Sequence, residues 1–82
     1  MIETDNQIDE IANKIHTTEL GIERIRKNLS LDEENVILWC KEFIKSKDVK
    51  ILRKGKNFYI TKNDIILTIN ANSYTVITAH KK

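Results

Sequence analysis

The chain has 82 residues, 40% of them hydrophobic and 32% charged, with a net charge of +2. That length suits one domain whose core is just large enough to fold, and the composition suits a globular protein and argues against disorder. A single cysteine, Cys40, excludes an internal disulfide, and two histidines without a Cys/His cluster argue against a structural zinc site.

Thr4-Asp5-Asn6-Gln7 reads as a capping box, and Ile8, Ile11, Ile15, Thr18, Ile22, Ile25 and Leu29 follow at helical spacing. The segment 16–21, "HTTELG", stays in phase but is rich in poor helix formers. The expectation is a helix near 5–15, a break at 16–18 and a helix near 18–29, with one long bent helix as the alternative. Ser30-Leu31-Asp32-Glu33 reads as a second capping box that opens a helix over 31–46. Its apolar face is Val36, Ile37, Cys40, Phe43 and Ile44, flanked by Trp39, so Cys40 reads as a core residue and not as a nucleophile.

The remainder reads as four strands near 49–53, 57–61, 65–70 and 73–80, separated by short turns that contain Gly55, Asn63-Asp64 and Asn72. Short connections make antiparallel neighbours. The predicted fold is therefore α+β: two or three N-terminal helices packed on one face of a four-stranded antiparallel β-meander, forming a single domain over 1–82. No run is apolar enough to span a membrane and no signal peptide precedes the acidic start, so a cytoplasmic setting without membrane or metal partners is expected.

Charge is unevenly distributed. Residues 1–15 carry −3, residues 16–48 carry −1 and residues 49–82 carry +6. A basic C-terminal sheet points to an anionic partner, although lysines also protect sheet edges. Two polar clusters are surplus to the architecture. The first is His16 with Arg24 and Arg26, at and after a helix entrance, where free amides favour anions; a solvated His-Thr-Thr cap is the competing reading. The second is the last strand, where simple alternation puts Tyr74, Val76, Thr78 and His80 on one face. Neighbouring strands offer Arg53, Lys54, Lys56 and Tyr59, and the sheet register decides which of them share that face.

If the clusters meet, imidazoles would serve as base and acid toward an RNA 2′-hydroxyl and leaving oxygen, and arginine would hold the phosphate. His16, Arg24, Thr78 and His80 are the catalytic candidates, and Arg26, Arg53, Lys54, Lys56 and Tyr59 the nucleic-acid-binding ones. Neither a metal nor a cofactor is required. No P-loop, GxGxxG or GxSxG motif suggests other chemistry. A non-catalytic module for RNA or an acidic protein, and an interaction protein dimerising through its first helix, are the alternatives.

In "HTTELGIERIRKNL", "WCKEFI", "RKGKNFYI" and "INANSYTVITAHKK", over residues 15–82, the sequence resembles a small bacterial family of domains of unknown function. That resemblance implies a bacterial cytoplasmic protein and supplies no activity. In its order of elements, a histidine before an arginine-bearing helix and four strands ending in "ITAH", it is also similar to the barnase–EndoU–colicin–RelE class of ribonucleases and toxins. This second resemblance implies catalytic roles for His16, Arg24, Thr78 and His80, a looser match at Arg53 and Tyr59, and an antitoxin-like partner.

Overall fold

The computed structural model describes residues 2–31 and 35–82, with side chains from Ile8 onward. Helices α1 (Ile2–Lys14), α2 (Glu19–Leu29) and α3 (Val36–Lys45) precede strands β1 (Lys50–Lys54), β2 (Asn57–Lys62), β3 (Ile65–Asn70) and β4 (Val76–Lys81). The strands form one antiparallel sheet in the order β1-β2-β3-β4. The α+β meander expected from the short turns is the observed fold. No helix among the described residues is long and apolar enough to cross a membrane.

The core repeats one device three times. Ile11 with Ile15 just past the end of α1, Ile25 and Leu29 on α2, and Val36, Cys40 and Ile44 on α3 recur every four residues, so each segment turns one stripe inward. These stripes meet Phe58, Ile60, Leu67, Ile69, Val76 and Ala79 from a single face of the sheet. Trp39 is half-buried and stacks on Phe43, with ring centroids 5.3 Å apart.

The break before α2 is real, and the bent-helix alternative is not adopted. Residues 15–18 leave the helix, and the main chain of His16 pairs with the edge of β4. His16 N–H donates to Tyr74 O at 3.1 Å, and Val76 N–H donates to His16 O at 2.7 Å. Both threonines bond backbone in ways a continuous helix would forbid. Thr17 Oγ1 donates to Val76 O at 2.9 Å, while Thr18 caps α2 by accepting from Gly21 N at 3.1 Å. A Cβ at Gly21 would fall on the Thr17 hydroxyl, so glycine is what lets Thr17 reach the sheet.

Three local expectations are corrected. Helix α1 begins at Ile2, so Thr4 lies inside it and does not open it as the capping-box reading expected. Ser30 does not open α3. It closes α2 in the left-handed region (φ 54°), and Leu31 N–H returns to Arg26 O at 3.0 Å. Asn35 caps α3 instead, its Oδ1 accepting from Leu38 N at 2.9 Å; the acids at 32–34 lie outside the described residues. Finally, β4 begins at Val76, because Asn70 Oδ1 gathers the amides of Asn72 and Ser73 into a turn and Tyr74 takes a positive φ of 60°.

The start of β4 also shifts phase. Thr68 pairs with Thr78 but Ile69 pairs with Val76, which leaves Ile77 as the extra residue of a bulge. Val76 therefore faces the core together with Ala79, and Thr78 and His80 fall on the opposite side. Simple alternation from Tyr74 to His80 fails for this reason.

Two outcomes follow from this packing. Gly21→Ala adds about 1 kcal/mol of helix propensity, but the displaced Thr17 hydroxyl loses its bond to a buried carbonyl at a cost of about 1–3 kcal/mol. Urea denaturation is expected to show lower stability for Gly21→Ala in the native background and higher stability for it in a Thr17→Ala background. An unchanged sign would reject the steric account. Burial pushes the Cys40 thiol up to about 12, so the folded chain favours the neutral thiol, and this contribution is lost as pH rises from about 8.5 toward 12. At pH 8 the folded chain should react with a thiol reagent at least about a thousandfold more slowly than the unfolded chain. Comparable labelling rates would place Cys40 outside the core.

Candidate nucleic-acid interface

The register assigns every strand residue to a face, because paired residues point the same way. On the helix side lie Arg53, Phe58, Ile69 and Val76 in one row, then Ile51, Ile60, Leu67 and Ala79 in the next. The helix-free side carries three rows. One is Lys50, Thr61, Ile66 and His80; the second is Leu52, Tyr59, Thr68 and Thr78; the third is Lys54, Asn57 and Asn70. None of these residues is acidic.

Tyr59 sits in the middle row, half-buried, with its hydroxyl 3.4 Å from Asn57 Nδ2. Beside it Leu52 is 60% exposed. Leu52, Lys54, Tyr59, Thr61 and Ile66 line an open depression of about 430 Å³. The surface therefore has an apolar and aromatic centre with cations at its margin. A larger hollow of about 630 Å³ lies between α1 and the α3–β1 connection. Its wall alternates Asp9 and Asp48 with Lys45 and Lys47, which gives it no net preference for anions, and none of the candidate residues lines it.

The structure divides the candidates. Lys54, Tyr59, Thr78 and His80 share the helix-free face. Arg53 occupies the other face, at its margin, where its guanidinium lies 5.6 Å from the Phe58 ring centre and Nε donates to Gly55 O at 3.0 Å. Lys56 is exposed in the β1–β2 turn, with its carbonyl accepting from Ala71 N at 2.7 Å. Arg24 is exposed and Arg26 half-buried, both on α2.

His16 and His80 are not brought together. His16 lies beside Thr75 at the start of β4 and His80 lies opposite Ile66 near its end. Five residues of strand separate them, roughly 15 Å at about 3.3 Å per residue. Two imidazoles that far apart cannot both reach one scissile phosphodiester by hydrogen bonding. His16 Nε2 is 2.8 Å from Ser73 O, which ties its ring to the β3–β4 turn. The Thr78 hydroxyl accepts from Asn28 Nδ2 at 3.3 Å, and the same nitrogen lies 3.3 Å from Ala79 O.

Asn28, Lys50, Asn57 and Ile66 escaped the sequence reading. Lys50, Leu52 and Lys54 alternate on one strand and share a face by period alone, so Lys50 was within reach of that argument. Asn28 was not, because nothing local to α2 indicates that it runs beside Thr78. Among the described residues, no group of three His, Cys, Asp or Glu could hold a metal ion.

A family model described as a protein of unknown function (DUF3781) matches residues 9–80. Searches of curated proteins and of solved structures found no match. The family match takes in α2, α3 and β1–β3 entirely and reaches His80 on β4. The chain belongs to the DUF3781 family.

Proposed function

We propose that the helix-free face of the sheet binds single-stranded RNA without cleaving it. The observation that carries this reading is the position of Tyr59, an aromatic ring at the centre of an open, acid-free sheet face with Lys50 and Lys54 on the adjoining strand. Unpaired bases present flat apolar faces that stack on such rings, and their phosphates seek nearby cations. A duplex offers no free base face to a flat sheet, which favours a single strand as the ligand. The concentration of positive charge in residues 49–82 supports the same choice. The separation of His16 from His80 argues for binding over joint acid–base cleavage.

Fluorescence anisotropy with short single-stranded and double-stranded RNA, at two salt concentrations, tests the proposal. Single strands should bind more tightly, and affinity should fall with salt at a slope of about −0.7 per neutralised phosphate. Tyr59→Ala should weaken binding by about 1–3 kcal/mol, Tyr59→Phe should retain it, and Lys54→Ala should weaken it and flatten the salt slope. The RNA should remain intact on a denaturing gel. Equal affinities for wild type, Tyr59→Ala and Lys54→Ala would remove this face from consideration, and cleavage would reinstate a catalytic role.

A further inference from the structure

The two edges of the sheet are treated differently. The start of the β4 edge is covered within the molecule: the main chain of His16 pairs beside Thr75, and the side chains of Thr17 and Asn28 donate to Val76 O and Ala79 O. Among the described residues β1 pairs with β2 alone, so its other side presents unpaired backbone donors and acceptors. β1 reads Lys-Ile-Leu-Arg-Lys, and all but Ile51 are exposed. Leu52, at its centre, opens directly onto the depression shared with Tyr59 and Ile66.

We infer that the β1 edge accepts an extended acidic segment of another protein as a fifth strand. The charges select this occupant. A second copy pairing antiparallel about Leu52 would set Lys50 against Lys54 and Lys54 against Lys50. A parallel in-register copy would set every cation against itself. Like charges directly opposite are unfavourable in a sheet, so a copy centred on Leu52 or paired in parallel register is disfavoured against an acidic strand. A partner strand meets no such conflict if it carries acids opposite Lys50, Arg53 and Lys54 and apolar residues opposite Ile51 and Leu52. Read along an antiparallel partner, that is two acids, two apolar residues and an acid. Backbone bonds along the edge supply affinity, and the apolar residue opposite Leu52 covers its exposed side chain and borders the depression. The inference goes beyond the RNA reading: it adds the backbone of the β1 edge as the docking element, although Lys50, Leu52 and Lys54 serve both surfaces.

A displayed library of random eight-residue peptides, selected on the full chain with no nucleic acid present, provides the test. The enriched sequences should carry the pattern of two acids, two apolar residues and an acid. In amide-resolved NMR, an enriched peptide should shift residues 50–54 most and slow their hydrogen exchange. The double charge reversal Lys50→Glu with Lys54→Glu should weaken that peptide at least tenfold while the chain stays folded by circular dichroism. Absence of enrichment, enrichment of sequences without acids, or shifts centred away from β1 would each overturn the inference.

Discussion

The main chain of His16, laid against the start of β4, is the constraint from which the rest of the arrangement follows. Two backbone bonds hold it there, and Thr17 adds a third from its side chain to Val76 O. The joint is only four residues long, yet it ends the direction of α1 and sets where α2 begins. With Thr17 against Val76 and Asn28 against Thr78 and Ala79, α2 is obliged to run alongside β4. Gly21 belongs to the same joint, because any side chain there would push Thr17 off the strand.

One consequence concerns the polar residues that invite a catalytic reading. The joint takes His16 to the beginning of β4, whereas His80 occupies its far end, so the strand itself acts as a spacer. The bulge at Ile77 then turns Thr78 and His80 outward while keeping Val76 and Ala79 in the core. A six-residue strand with a bulge can serve a buried cluster and an open surface at once. The result is one side chain tied to a turn, another carried on the open face, and no shared hollow between them.

The distribution of charge over the sheet has a similar physical logic. The apolar stripes of α1, α2 and α3 pack on one side of the sheet, with Asn28 of α2 reaching Thr78 at the β4 edge, and leave most of the other side to solvent. None of the strand residues assigned to that side is acidic, and its lysines sit on the edge strand β1. Lysines on an edge oppose pairing between identical molecules, and the same lysines attract anything acidic or phosphorylated that arrives. Protection against self-association and recognition of anions are here two effects of a single arrangement.

The sequence by itself determined the helices, the meander and the core. Four-residue apolar repeats such as Ile11 to Ile15 and Val36 to Cys40 to Ile44 demand a helical face, and β-branched runs separated by short turns demand antiparallel strands. Those signals are local and need no partner to be read. The cap at Asn35, the left-handed close at Ser30 and the turn gathered by Asn70 compete with equally plausible local patterns, and long-range packing selected among them. Only the tertiary structure decided which polar residues share a face, because one inserted residue at Ile77 reverses the side on which every later side chain falls. It alone decided that His16 and His80 stand apart, since the direction of the strand between them, and not the order of residues, sets that distance.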